Sequence, residues 1–189
     1  MKEFPIAGCY DPCQVYQPEA DTYLLLETVQ GELQPSDRVL EMGTGTGYVG
    51  CHLTGYNFLL CADINPHACL TAKSRGLPVV RTDLFAGISG KFDLVVFNPP
   101  YLPTQDEERI VDWLEYALDG GPEGRSTIAR FIDGVRSVLA PEGRVLLLIS
   151  SLTGVDEVAG MFHEQAFKTA IIARKKIFDE WLFVMKGES

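Results

Sequence analysis

The chain has 189 residues, of which 46% are hydrophobic, so it can bury the core of one ordinary domain and is too apolar to be disordered. Its formal net charge of -10, from 26 acidic and 16 basic side chains, opposes binding to the phosphate backbone of nucleic acids. No apolar run approaches ~18 residues, and the first residues lack the apolar core of a signal peptide, so we expect no membrane association.

Helix and strand patterns alternate along the chain. In order, they predict a helix over 20–33, a strand over 38–41, a helix over 48–53, a strand over 58–62, a helix over 65–75, strands over 78–81 and 92–97, a helix over 126–139, a strand over 144–150, a helix over 155–165, and strands over 168–177 and 181–185. Such alternation is typical of a parallel sheet with helices on both faces. The last two strands are too close for a crossover helix and predict an antiparallel hairpin. We therefore predict a single α/β, Rossmann-like domain over 1–189, with a seven-stranded, mostly parallel sheet.

The five cysteines indicate a reducing, cytoplasmic environment. Their number is odd, which argues against a closed set of disulfides. No two of them have the C-x2-C spacing of a zinc ribbon, so we predict no metal site in this chain.

A glycine-rich turn, E-M-G-T-G-T-G over 41–47, follows the first strand and predicts a cofactor site. Asp63 ends the second strand about twenty residues later, where a carboxylate accepts hydrogen bonds from ribose hydroxyls. Residues 45–50 also match the dinucleotide pattern G-x-G-x-x-G, although this match begins late in the turn. Glu41 would be unfavourable beside a pyrophosphate and would suit an ammonium group. Both classes of cofactor remain open on this pattern.

Asp83 and Leu84 follow the third strand and extend the predicted cofactor site. A carboxylate and a backbone N–H at this position can read the edge of an adenine ring. An isolated Asp after a strand also commonly caps a turn. The position of these features at the ends of successive parallel strands favours the cofactor interpretation.

The sequence Asn98-Pro99-Pro100-Tyr101 follows the predicted buried strand over 92–97 and is the strongest indication of chemistry. The Asn98 side-chain oxygen and the Pro99 carbonyl can accept from the two N–H groups of a planar NH2 group. They would orient its nitrogen for attack on a methyl donor. Consecutive prolines fix the backbone and remove competing donors, which favours precise placement.

Taken in this order, these motifs resemble class I S-adenosylmethionine-dependent methyltransferases. The segment Val15 to Thr22 is similar to the Y-x-P-x-x-D-[ST] segment of HemK-type glutamine methyltransferases, and Gly120 to Arg125 resembles their Gly-Gly…Gly-Arg element. That family methylates the side-chain amide of the Gly-Gly-Gln loop in translation termination factors. The short leading segment resembles the archaeal and eukaryotic branch. This implies a small zinc-binding activator subunit that pairs with the third strand at 79–80.

The resemblance implies roles for individual residues and S-adenosylmethionine as the cofactor. The implied cofactor-binding residues are Thr22, Glu41, Gly43, Gly45, Asp63, Asp83, Leu84 and Asn98. The implied substrate-binding residues are Asn98, Pro99, Pro100 and Tyr101, of which Asn98, Pro99 and Tyr101 would be catalytic. Because the amide nitrogen loses its proton after attack, no general base is needed, and His52, His67 and His163 have no predicted catalytic role.

Three other functions remain as alternatives. An adenine amino-methyltransferase acting on nucleic acid would use the same grip on an NH2 group, but the net charge and the lack of a basic run count against it. A cofactor-binding scaffold subunit without activity and a nicotinamide oxidoreductase are the others. Residues 105–108 and 113–116 follow the predicted catalytic turn and are placed to form a lid or a docking loop, or a plain surface loop.

Overall fold

The computed structural model describes residues 11–104 and 112–189, and one seven-stranded sheet dominates it. The strands are β1 (Arg38–Met42), β2 (Phe58–Asp63), β3 (Val79–Arg81), β4 (Phe92–Phe97), β5 (Leu139–Ser150), β6 (Lys168–Ile177) and β7 (Glu180–Glu188). Their spatial order is β3-β2-β1-β4-β5-β7-β6. The pairs from β3 to β5 are parallel, and β7 is antiparallel to both of its neighbours. The predicted fold class, including the C-terminal hairpin, is confirmed.

Helices cover both faces of the sheet, as the alternating pattern predicted. They are α1 (Ala20–Glu32), α2 (Tyr48–His52), α3 (Pro66–Ser74), α4 (Ser126–Val135) and α5 (Val155–Glu164). Successive residues of β1 divide between two cores. Leu40 packs in one cluster with residues of α4 and α5, whereas Val39 packs in another with residues of α1 and α2. Among the described residues, no helix is long and apolar enough to cross a membrane.

The prediction of a helix reaching residue 139 is wrong. Helix α4 ends at Val135, and β5 begins at Leu139, so the strand contains the Pro-Glu-Gly sequence at 141–143, which is typical of a helix stop. Pairing across the sheet overrides the local pattern here. Phe92 N–H donates to the Val138 carbonyl at 2.8 Å, and the β4–β5 register then shifts to accommodate the irregular segment.

The order of the strands places the site. β1 lies between β2 and β4. From β1 the chain forms β2 and β3 on one side and then crosses back to form β4 on the other side of β1. Ligands of open α/β sheets bind at such a switch point, outside the carboxyl ends of the strands. At the opposite end, Arg144 and Asp37 form a buried ion pair at 2.7 Å that joins β5 to the segment leading into β1.

Candidate active site

A cavity of about 940 Å³ opens at the carboxyl ends of the central parallel strands. Every residue that the sequence predicted for the site lines it: Thr22, Glu41, Gly43, Gly45, Asp63, Asp83, Leu84, Asn98, Pro99, Pro100 and Tyr101. These residues come from five separate stretches of the chain, which the fold brings to one end of the sheet. Their individual roles stay predictions.

The glycine turn after β1 is held by bonds within the protein. Gly45 N–H donates to Asp63 Oδ2 at 2.9 Å, and Thr44 N–H donates to the Ala62 carbonyl at 3.1 Å. Gly43 has a φ of +65°, and a Cβ there would lie 2.8 Å from the Phe97 ring, so a side chain is excluded. Because Asp63 occupies the Gly45 N–H, a phosphate placed there would meet a carboxylate. This arrangement disfavours the nicotinamide dinucleotide alternative.

Glu41 is a buried carboxylate at the end of β1, with 4% of its surface exposed. Burial raises its pKa from 4.5 to about 7, although hydrogen bonds from Cys61 Sγ and from the Gly50 backbone oppose the shift. In the described part of the chain, no Lys or Arg forms an ion pair with it. A ligand ammonium group next to Glu41 would offset the cost of burying its charge.

Asp63, at the end of β2, is also nearly buried and is oriented by backbone donors. Its Oδ1 accepts from Asn65 N–H at 2.8 Å, and its Oδ2 accepts from Gly45. Burial raises the pKa of Asp63, and these two N–H groups act in the opposite direction. Each carboxylate oxygen has a second lone pair, so Asp63 keeps the capacity to accept from ribose hydroxyls.

Asp83 and Leu84 lie on the cavity wall beyond β3. The Asp83 carboxylate forms an ion pair with Arg130 of α4 at 2.8 Å, and both side chains are about half exposed. Leu84 has a φ of 46°, which is unusual for a residue with a branched side chain. Strained backbone of this kind tends to occur at ligand sites. The ion pair shows that Asp83 has a structural partner in addition to any role with adenine.

The opposite end of the cavity contains the Asn-Pro-Pro-Tyr turn. Asn98 Nδ2 donates to Asp21 Oδ2 at 3.0 Å, and the Tyr101 hydroxyl donates to the same oxygen at 3.4 Å. Asn98 Oδ1 is buried, and within the described residues it has no hydrogen-bond partner. An unpaired buried acceptor is costly, so this atom points to a ligand with an N–H group.

The segment after Tyr101 is hydrogen-bonded to the Gly-Gly-Pro-Glu-Gly-Arg element at 120–125. Gly120 N–H donates to the Leu102 carbonyl at 2.9 Å. A Cβ at Gly124 would lie only 2.4 Å from the Tyr101 carbonyl oxygen, so this glycine permits close packing against the turn. Residues 105–108, the first stretch predicted to form a lid, a docking loop or a plain surface loop, lie outside the described residues. In the second stretch, 113–116, three residues line the cavity, namely Trp113, Leu114 and Tyr116.

Sequence reasoning missed several cavity residues, above all Asp21. Asp21 lies in the segment that resembles the HemK-type motif, and this resemblance was the feature of the sequence that could have indicated it. Asn65, Arg130 and Glu180 also line the cavity, and no local pattern indicated them. The three histidines, His52, His67 and His163, are not among the lining residues. The described residues contain no cluster of side chains that could hold a metal ion.

The charges on the cavity wall fit S-adenosylmethionine. The acidic lining residues are Glu19, Asp21, Glu41, Asp63, Asp83 and Glu180, whereas Arg130 is the basic one in the described lining. Such a surface favours a ligand that carries positive charge. S-adenosylmethionine carries positive charge on its sulfonium group and its ammonium group.

Comparisons with known proteins agree with this chemistry. Residues 17–114 match the family model described as the methyltransferase small domain. The chain is 39% identical over 182 residues to protein N5-glutamine methyltransferase MJ0928 of Methanocaldococcus jannaschii, covering 92% of this chain and 91% of that one. It is 31% identical over 189 residues to human methyltransferase HEMK2, covering 91% and 88%.

One solved structure is similar to this chain over nearly the whole length of both proteins. It is from the E. cuniculi Mtq2–Trm112 complex, which is responsible for methylation of the eRF1 translation termination factor. The match has a TM-score of 0.80 and 34% identity, and it covers 93% of this chain and 99% of that chain. This chain belongs to the methyltransferase small-domain family, with the class I methyltransferase fold.

Proposed function

We propose that this protein transfers a methyl group from S-adenosylmethionine to the side-chain amide nitrogen of a glutamine, in the Gly-Gly-Gln loop of a translation termination factor. The observation that carries the proposal is Asn98 Oδ1, a buried acceptor that lies beside a rigid Pro-Pro turn and has no hydrogen-bond partner among the described residues. The names of similar proteins support the same acceptor, since one is a protein N5-glutamine methyltransferase and another belongs to a complex that methylates a termination factor.

The Asn-Pro-Pro-Tyr turn at 98–101, here called the acceptor turn, would compensate for the low nucleophilicity of the amide nitrogen. An amide nitrogen is a poor nucleophile because its lone pair is delocalised into the carbonyl group. Asn98 Oδ1 and the Pro99 carbonyl would each accept one of its N–H groups, which orients the nitrogen and keeps electron density on it. Tyr101 would form the wall of the slot. Fixing the reacting atoms in this way removes much of the entropic barrier to a bimolecular transfer.

The residues at the other end of the cavity would bind the methyl donor. S-adenosylmethionine would supply a sulfonium methyl group, which the amide nitrogen would take up as the C–S bond breaks and leaves its electron pair on sulfur. Glu41 would bind the ammonium group, and Thr22 and Gly43 would contact the methionine part. Asp63 would hold the ribose, with Asp83 and the Leu84 backbone at the adenine. The methylated nitrogen then loses a proton to solvent.

An adenine amino-methyltransferase remains the second candidate because adenine carries a similar planar NH2 group. The acidic cavity wall and the net charge of -10 oppose the approach of a phosphate backbone. A scaffold subunit without activity is the third candidate. The unpaired Asn98 Oδ1 counts against it, because a binding subunit gains nothing from an unsatisfied acceptor at the far end of the cavity.

The test is transfer of labelled methyl from S-adenosylmethionine to a termination factor and to its Gln→Ala loop variant. We expect label on the first factor and none on the second. Replacing Asn98 by Ala should lower turnover on the order of 10²–10³-fold, with cofactor binding nearly unchanged. Equal labelling of both factors would exclude the proposed acceptor. Label on a nucleic acid instead would favour the adenine alternative.

We also propose that a small zinc-binding activator subunit pairs with β3. This strand is at the edge of the sheet, and its Val80 side chain is exposed. An exposed edge is a template for strand addition. The similar E. cuniculi structure comes from a complex with Trm112.

Co-expression with a Trm112-like protein, followed by size-exclusion chromatography, tests the pairing. Val80→Asp should abolish the heterodimer. Phe178→Ser, at an exposed apolar position in the β6–β7 turn near the other edge of the sheet, should leave it intact. A heterodimer that survives Val80→Asp would argue against pairing at β3.

A further inference from the structure

Three donors, one from the segment before α1 and two from the Asn-Pro-Pro-Tyr turn, converge on one buried oxygen. Asp21 lies in the first turn of α1, and 3% of its surface is exposed. Its Oδ2 accepts from the Tyr16 hydroxyl at 3.0 Å, from Asn98 Nδ2 at 3.0 Å and from the Tyr101 hydroxyl at 3.4 Å. Because Asn98 and Tyr101 belong to the acceptor turn, Asp21 connects that turn to α1.

The Asp21 carboxylate is itself held in place. Its Oδ1 accepts from the Thr22 backbone N–H at 2.6 Å and from the Thr22 hydroxyl at 3.2 Å. All of these described partners are neutral, so its charge is satisfied by oriented hydrogen bonds. Burial, and next the charge of Asp21, raise the pKa of Tyr16 and Tyr101. Both phenols therefore stay protonated and act as donors.

This arrangement determines which way the Asn98 amide points. A carboxylate only accepts hydrogen bonds, whereas an amide group has a donor end and an acceptor end. If the amide were rotated by 180°, its oxygen would face Asp21 Oδ2 at about the same distance, and two acceptors would repel each other. With the amide as observed, Nδ2 faces Asp21 and Oδ1 is left without a partner in the described residues.

We propose that Asp21 is a positioning residue, which locks the Asn98 amide so that its oxygen is always the atom offered to the substrate. The Tyr101 hydroxyl donates to the same Asp21 oxygen. The proposal rests on the glutamine amide being the acceptor, because an NH2 group requires an acceptor from the enzyme. Without Asp21, the Asn98 amide would rotate and present its own NH2 group for part of the time.

The orientation is tested first without any reaction. In ¹⁵N-labelled protein, the side-chain NH2 signals of Asn98 are assigned by their loss in Asn98→Ala. We expect these hydrogens to exchange slowly with solvent in the wild type and at least tenfold faster in Asp21→Ala. Unchanged exchange in Asp21→Ala would overturn the proposal. Should the Ala variant not fold, Asp21→Asn offers a neutral acceptor of the same size, and intermediate exchange is expected.

Turnover then tests whether the orientation matters for transfer. Asp21→Ala should lower kcat by roughly 10²-fold with little change in the Kd of S-adenosylmethionine, and Asp21→Asn should retain more of the activity. Glu27→Ala, an exposed carboxylate on the same helix, is the control and should behave like the wild type.

A double-mutant cycle separates positioning from a general structural effect. If Asp21 acts through Asn98, then Asp21→Ala in the Asn98→Ala background should lower kcat by less than about twofold. The full loss in that background would overturn the proposal. If the wild type does not label a termination factor at all, the proposed function fails. The exchange measurement still decides the orientation in that case.

Discussion

Replacing Glu41 by Gln is expected to stabilise the ligand-free protein at neutral and alkaline pH. Folding buries this carboxyl group and raises its pKa from 4.5 to about 7. A group whose pKa is raised by folding contributes its full stabilisation at pH values below the pKa that it has in the unfolded chain. That contribution is lost as the pH rises to the pKa that the group has in the folded protein. The difference between these two pKa values corresponds to about 3–4 kcal/mol, at about 1.4 kcal/mol for each pKa unit.

The neutral amide of Gln avoids this loss and keeps an oxygen that can accept from Cys61 Sγ. The difference in the free energy of unfolding between Glu41→Gln and the wild type should therefore grow by about 2–3 kcal/mol between pH 5 and 8. Urea denaturation followed by circular dichroism measures it at each pH. Glu27→Gln, which removes an exposed carboxylate from α1, is the control for the loss of one charge.

Glu41→Gln should weaken cofactor binding, although it stabilises the ligand-free protein. The ammonium group of S-adenosylmethionine favours ionised Glu41, so the affinity should rise about tenfold per pH unit below pH 7 and level off above it. In Glu41→Gln this dependence should disappear and binding at pH 8 should weaken, as measured by calorimetry. A stability difference that stays flat between pH 5 and 8 would refute the assignment of a buried, uncompensated carboxylate at Glu41.

Two further predictions concern contacts outside the cofactor end. Asp37→Asn leaves Arg144 buried without its partner and should cost 3–5 kcal/mol of unfolding free energy in urea, so a loss below about 1 kcal/mol would contradict the structure. Gly124→Ala introduces a Cβ 2.4 Å from the Tyr101 carbonyl and should lower kcat at least about tenfold while cofactor binding is kept. Gly160→Ala, which meets no atom within 4 Å, is its control, and equal activities of the two variants would rule out the contact as a determinant of turnover.

The parts of this protein that local patterns determine were predictable from the sequence. Apolar periodicity located all seven strands, and turn residues after them located the cavity. The strand ends were less accurate, because long-range pairing sets them. Leu139, read as the end of a helix, instead begins β5, where it pairs with Phe92. The irregular segment 140–143 resembles a helix stop in sequence and is part of a shifted strand in the structure.

The contacts that orient the site could not be read from the sequence. Asp21 and Asn98 are 77 positions apart, and Asp83 and Arg130 are 47 apart. Periodicity shows which helix or strand each of these residues belongs to or follows. It does not show which side chains meet once the elements are packed. The resemblance to a known family indicated the region of Asp21 but gave it no partner.

The buried carboxylates of the cavity contribute to ligand binding and not to the stability of the ligand-free fold. Glu41 and Asp63 end adjacent strands, and burial raises the pKa of both, so each destabilises the ligand-free protein when ionised. In the described chain, Glu41 forms no ion pair with a Lys or Arg, so a bound cation would offset the cost of its charge. A bound ligand at 1,000 times its Kd would restore about 4 kcal/mol, comparable to what ionised Glu41 costs. Stability and cofactor affinity should thus respond in opposite directions to Glu41→Gln, and a purely structural carboxylate would not produce that pair of results.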